Sequence, residues 1–187
     1  MTTYYKKIEI DIDHSLFNIE KLKGEKLFEY SNNIGYFHIP DESYINSIFN
    51  HMFKIPPTST RLVQAKAKLI PHIDNGAFSC LNYYILPHNM ITTFWKPKEN
   101  AKRKKQVRVD LVTKEFEIVE LSYAKEDLIP VASFVAKPND AYLLNIGEIH
   151  SVYKVDETDT EPLPFPRTLI QFQWDLTMDE LIDKLGF

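Results

Sequence analysis

An imidazole and a carboxylate stand two residues apart at His72 and Asp74, in the string Leu69-Ile70-Pro71-His72-Ile73-Asp74-Asn75-Gly76. On extended backbone, side chains two residues apart leave the same face, so this pair can share one ion. By itself the pair is a weak signal, because a chain of 187 residues with 6 His supplies such pairs by chance. A second imidazole, His150, opens an apolar strand pattern in Asn145-Ile146-Gly147-Glu148-Ile149-His150-Ser151-Val152-Tyr153. Two imidazoles and one carboxylate are the donor set of a facial non-haem iron site, which leaves three positions open for other ligands. On these three residues alone, a hydrogen-bonded strand-end His150 and a turn residue His72 explain the sequence equally well.

A permanent cation follows at Arg167, opening the strand pattern Thr168-Leu169-Ile170-Gln171-Phe172-Gln173-Trp174. A guanidinium at the mouth of a strand-rich core needs an anion, and its planar fork matches a carboxylate. In isolation, an Arg paired with a neighbouring acid or lying in solvent is the plainer reading. The strand Ser79-Cys80-Leu81-Asn82-Tyr83-Tyr84-Ile85-Leu86 presents Asn82 and Tyr84 on one face, where they can serve binding or packing. His14, His38, His51 and His88 read as structural or exposed, and Trp95 as sheet packing. The single cysteine, Cys80, excludes an intramolecular disulfide, reads as a buried thiol and fits a reducing cytoplasm. A structural zinc site would want more thiolates.

The elements that must position these groups are mostly strands. Tyr4 to Ile12 alternates, and 41–53 (DESYINSIFNHMF) has helical periodicity, with Asp41 as N-cap and Pro56-Pro57 as the stop. From Arg61 the periodicity predicts nine short strands: 61–69, 78–86, 91–95, 106–112, 116–121, 131–136, 141–144, 151–155 and 168–174. Thr177 with Glu180 caps a closing helix to Leu185. Strands without long intervening helices predict an antiparallel sandwich or barrel. The length suits a single domain over 1–187, with a strand and helix flank at 1–60, a core at 61–176 and a C-terminal helix at 177–187.

Composition narrows the partners. The formal net charge of −4 argues against a nucleic-acid partner held by phosphate neutralisation. Seven basic residues (Lys96, Lys98, Lys102, Arg103, Lys104, Lys105 and Arg108) against Glu99 form a local block, which reads as a solvated hairpin tip or as a contact for an anionic small-molecule or peptide substrate. Asp156 to Glu161 is an acidic loop that runs into Pro162, Pro164 and Pro166. The first fifteen residues show neither a signal peptide nor a membrane span.

The order His-x-Asp, distant His, then Arg on the next strand resembles the 2-oxoglutarate/Fe(II)-dependent oxygenases, and within them the small prolyl or aspartyl/asparaginyl hydroxylase-like members of bacterial and phage type. The strings PHIDNG at 71–76, NDAYLLNIGEIHSV at 139–152 and RTLIQFQW at 167–174 carry the resemblance. It implies a mainly β double-stranded β-helix (a jelly-roll, cupin-like barrel) with a few flanking helices. It further implies Fe(II) held by His72, Asp74 and His150, and 2-oxoglutarate as cosubstrate with its far carboxylate on Arg167. Asn82 or Tyr84 would contact the cosubstrate, and O₂ would be consumed in hydroxylating a substrate. The gap from His150 to Arg167 is longer than usual for that family, and the 156–166 loop would absorb it. Two other readings stay open: a cupin-like metal enzyme using the three ligands without 2-oxoglutarate, and a non-catalytic jelly-roll binding protein. The prime substrate and the oligomeric state are not legible in the sequence.

Overall fold

The structure is a computed structural model that describes all residues except 1, 11, 13–16, 25, 31–33, 40–41, 50–52, 67, 75–76, 111–115, 157–162 and 164–165. For 26–30, 34–36, 38, 42, 46, 105–110 and 116–121 it describes the backbone alone. His14, His51, the Asp41 cap and most of the acidic loop therefore lie outside the described residues, as does the side chain of His38.

The protein is mainly β. Its strands are β1 (Tyr5–Ile8), β2 (Lys26–Tyr30), β3 (Ile34–His38), β4 (Ser59–Ala65), β5 (Leu69–His72), β6 (Ser79–Leu86), β7 (Met90–Pro97), β8 (Arg103–Asp110), β9 (Phe116–Tyr123), β10 (Leu128–Val135), β11 (Ala141–Asn145), β12 (His150–Lys154) and β13 (Arg167–Trp174). Among the described residues three α-helices join them, α1 (Ile19–Leu22), α2 (Glu42–Phe49) and α3 (Met178–Leu185), with one 3-10 turn at Lys125–Asp127. The strands pair antiparallel in the order β1-β11-β6-β13-β4-β3-β2-β8-β9-β5-β12-β7-β10.

Two four-stranded runs in that order, β11-β6-β13-β4 and β5-β12-β7-β10, form two facing sheets. Alternation divides their side chains. On the first sheet Leu62, Leu81, Tyr83, Leu143, Ile170, Phe172 and Trp174 turn outward, into a core closed by Ile45, Ile48 and Phe49 of α2 and by Met178, Leu181 and Leu185 of α3. Val63, Ala65, Cys80, Tyr84, Tyr142, Leu144 and Leu169 turn the other way and meet Phe94 and Phe134 of the second sheet. A third cluster, Trp95, Tyr123, Leu128 and Ile149, seals the far side of the second sheet. The molecule is thus layered as helices, sheet and sheet, and both cores rest on the period of two in each strand.

The structure departs from the sequence expectations in several places. The expected β-helix barrel is not closed by hydrogen bonding: β1 and β10 end the strand order without pairing with each other, and a side chain spans the gap instead, the Tyr5 hydroxyl donating to Ser133 O at 2.8 Å. The strand expected over 61–69 is two strands, β4 and β5, belonging to different sheets. The hairpin β2–β3 and the helix α1 were not foreseen, and of the helix expected over 41–53 the described part is α2 at Glu42–Phe49, with 41 and 50–52 outside the described residues. The closing helix is as expected: the Thr177 hydroxyl accepts from the Glu180 N–H, and Glu180 reaches back to the Thr177 N–H at 2.9 Å. Gly186 ends it at φ 76, a left-handed conformation that a side chain would strain. Among the described residues no helix is long and apolar enough to cross a membrane.

Candidate metal centre and its anion pocket

His72 ends β5 and His150 begins β12, and the two are directly opposite in the antiparallel pairing of these strands. Their rings lie 4.4 Å apart between centroids. Asp74 follows two residues after His72, held by its backbone N–H donating to Ile146 O at 3.1 Å. Its Oδ1 lies 3.1 Å from His72 Nε2 and 3.8 Å from His150 Nε2. One donor atom from each of the three falls within 4.8 Å of the others. Ligands in adjacent positions around a metal with bonds of about 2.1 Å sit roughly 3 Å apart, so the cluster is close to ligating geometry.

Backbone contacts orient both rings. His72 Nδ1 meets Ile70 O at 2.7 Å and His150 Nδ1 meets Glu148 O at 3.0 Å, each a carbonyl two residues earlier. A carbonyl only accepts, so each Nδ1 carries the proton and each Nε2 lone pair is directed to Asp74, the tautomer a metal ligand requires. For His72 this leaves an acceptor at both ring nitrogens. Either a second proton or a metal cation has to stand between Nε2 and the carboxylate. The electrostatics express the same tension. Burial works to lower the His72 value, but Asp74 outweighs it and holds His72 above its ordinary range. Burial opposes ionisation of Asp74 as well, yet the hydrogen bond from His72 and the charges of His150, His72 and Arg61 keep its carboxyl below the usual value. Burial, reinforced by the charge of His72, pushes His150 down to about 4. The site is not sealed: His72 and Asp74 keep 17% and 18% of their side-chain surface exposed, which leaves a way in for a ligand.

Deeper between the sheets lies Arg167, 5% exposed, its guanidinium carbon 5.0 Å from the centre of the Tyr84 ring. Arg167 Nε is enclosed and makes no hydrogen bond among the described residues, and the enclosed Tyr84 hydroxyl beside it has only Asn82 and Thr92 close by, neither in good hydrogen-bond geometry. No carboxylate among the described residues forms an ion pair with Arg167. Burial raises the Tyr84 phenol, partly offset by the Arg167 charge and by Asn82 and Thr92. A buried guanidinium with an unsatisfied N–H is costly unless an anion completes it, so Arg167 with the neighbouring Tyr84 hydroxyl fits the carboxylate of a small ligand.

All six residues singled out from the sequence therefore face the space between the two sheets. Asn82 is buried, and the Cys80 thiol donates to its Oδ1 at 3.5 Å. Cys80 is fully buried, and burial holds its thiol well above the ordinary value. His88 sits in a turn at φ 54, away from the cluster, and Trp95 packs the outer side of the second sheet with its Nε1 donating to Ser151 Oγ at 2.8 Å. The expected basic tip divides: Lys98 donates to Glu126 O, Arg103 donates to the Tyr123 hydroxyl, and the side chains of Lys105 and Arg108 lie outside the described residues. The sequence reasoning did not single out three neighbours of these groups: Arg61, whose charge acts on Asp74, Thr92 beside the Tyr84 hydroxyl, and the buried Gln171. For Gln171 a signal was available, since it lies four residues after Arg167 on the same face of β13. Comparison of the chain with protein-family models gives no match, and comparison with curated proteins gives none either.

Proposed function

We propose that the chain is a non-haem Fe(II) and 2-oxoglutarate-dependent dioxygenase that hydroxylates a small molecule or an amino-acid side chain. The observation that carries this reading is the pairing of a His72–Asp74–His150 donor cluster with a buried Arg167 that lacks a counter-ion among the described residues. The strand order supports the double-stranded β-helix this function implies. Numbered from β4 while omitting the β8–β9 hairpin, eight strands pair as first-eighth-third-sixth and second-seventh-fourth-fifth, the order of two interleaved Greek keys.

In this reading His72, Asp74 and His150 hold Fe(II) on one side, with both rings locked by the Ile70 and Glu148 carbonyls. Arg167 and the Tyr84 hydroxyl would hold the far carboxylate of 2-oxoglutarate, and Asn82 would border the same pocket. Phe94, at 5.9 Å from the His150 ring, would border the metal on its apolar side. Bound together, Fe(II), 2-oxoglutarate and O₂ supply oxidative decarboxylation to succinate and CO₂ coupled to hydroxylation of a C–H bond. The single buried thiol fits a cytoplasmic, reducing setting.

The test is anaerobic titration with Fe(II) and 2-oxoglutarate, following the weak visible charge-transfer band of the chelate in wild type and in Arg167→Ala. A band that appears in wild type and weakens in the variant supports the reading. Iron binding with no band at any 2-oxoglutarate concentration would move the assignment to a cupin-like metal enzyme. Absence of iron binding would leave a jelly-roll binding protein.

A further inference from the structure

β7 and β8, which the basic segment joins, are not neighbours: β12, β5 and β9 stand between them in the strand order. Residues 98–102 therefore cross behind those strands, with Ala101 against the cluster of Trp95, Tyr123, Leu128 and Ile149 on the far side of the second sheet. On the near side, cross-strand partners share a face, and one row of them runs Phe94, His150, His72, Ser122 and Lys104 over five strands. Lys104 is thus on the metal face, two strand spacings or about 10 Å from His72 at the backbone. Its place is fixed by the buried Ser122, which donates from Oγ to Lys104 O at 3.2 Å. Lys96 lies on the same face, two residues beyond Phe94 on β7.

The cations of this segment sort by face and by partner. Lys98 donates to Glu126 O and Arg103 to the Tyr123 hydroxyl, so both are held on the protein. Lys96 and Lys104 are exposed, and their ammonium groups make no ion pair or hydrogen bond among the described residues. Two unpaired ammonium groups therefore flank the opening at His72 and Asp74, one from each side in the strand order. A lysine is a compact point charge with rotatable donors, which suits a phosphate, whereas a planar carboxylate is matched best by the fork of an arginine. The one arginine described here, Arg103, is turned to the opposite face with Tyr123. We infer that Lys104, within the positive field of Lys96, binds the phosphate of the prime substrate, a small-molecule phosphate monoester. A nucleic-acid polymer is disfavoured by the net charge of −4 on the whole chain. The inference rests on the oxygenase reading only for the reaction that follows binding; the phosphate site depends on the row and its charges.

The test is phosphorus NMR titration of the full chain with phenyl phosphate, first metal-free, then with Mn(II) bound. A saturable phosphorus shift is expected in metal-free wild type. Lys104→Gln, a change at an exposed side chain, should weaken binding about 5- to 10-fold, the loss that goes with one charge-assisted contact. Lys104→Arg should retain most of it, and Lys184→Gln, an exposed change on α3, should leave it unaltered. Benzoate, planar and singly charged, should compete more weakly than inorganic phosphate. With Mn(II) bound, phosphorus relaxation should place the group near the metal but outside its ligand shell. The phosphate site is overturned by the absence of a saturable shift, by indifference to Lys104→Gln, by an equal loss in Lys184→Gln or by equal competition from benzoate. Phosphorus directly on the metal, or too distant to be relaxed by it, overturns the site as well. Lys104-dependent binding in a protein that takes up neither Mn(II) nor 2-oxoglutarate keeps the phosphate site and overturns the oxygenase reading. A charge-transfer chelate without phosphate binding does the reverse.

Discussion

His72 and His150 are cross-strand partners with the same local construction: each turns Nδ1 to the carbonyl two residues before it, and each aims Nε2 at Asp74 Oδ1. Two strands running in opposite directions thereby present two imidazoles with matched tautomers to one point. The arrangement is prepared in the protein before any ligand arrives, because backbone carbonyls, not the ligand, fix the rings.

Metal binding should depend on all three donors. With Co(II) as a spectroscopic substitute, the wild type is expected to bind one ion, while Asp74→Ala and His150→Ala should each weaken it by more than about 100-fold, since outer contacts alone cost ~10–100-fold. Retention of wild-type affinity in both variants would remove the metal centre.

Arg167 should show a trade between stability and binding. Arg167→Met removes a buried cation with no counter-ion among the described residues, so the thermal midpoint of the ligand-free protein should be at or above that of wild type. The same variant should bind 2-oxoglutarate about 10- to 100-fold more weakly with metal affinity unchanged. A ligand-free variant that melts well below wild type would point to a structural role for Arg167.

The helical layer is fastened to the first sheet by aromatic contacts. Phe49 lies 4.8 Å from Phe172 and 5.6 Å from Tyr83 between ring centroids. Phe49→Ala should destabilise the protein by about 3–5 kcal/mol, as read from urea unfolding. A loss below about 1 kcal/mol would mean that α2 contributes little to the core.

The closing helix should give stability a dependence on acid. Hydrogen bonds from the Thr177 side chain and backbone hold the Glu180 carboxyl below its ordinary value in the folded state. Its contribution is therefore full above the unfolded value, near 4.5, and is lost as pH falls through the lower folded value. Unfolding of wild type and Glu180→Gln should differ at neutral pH and converge in acid, whereas a constant difference across that range would exclude the linkage. Thr177→Ala should cost about 1 kcal/mol at neutral pH.

Much of this protein was written locally. The period of two in RTLIQFQW assigns Arg167, Leu169, Gln171 and Gln173 to one face and Ile170, Phe172 and Trp174 to the other, and the structure keeps that division. Thr177 and Glu180 likewise specify a helix start by contacts three residues apart. The split of 61–69 was not legible, because alternation continues through Lys66 and Lys68 while the chain passes from one sheet to the other. The β2–β3 hairpin was missed for a related reason: its strands are held by pairing with β4 and β8, and nothing in its own pattern announces those partners.

For the site, the sequence by itself determined which residue types were available and which would share a face: His72 with Asp74, and Asn82 with Tyr84. It could not determine that His150 would stand opposite His72, that Asp74 would lie between their rings, or that Lys104 would fall in line with both histidines. Those relations are set by strand pairing between segments far apart in the chain. Such pairing is decided by which faces bury together and by which backbone groups find partners, and only the tertiary structure settles both at once.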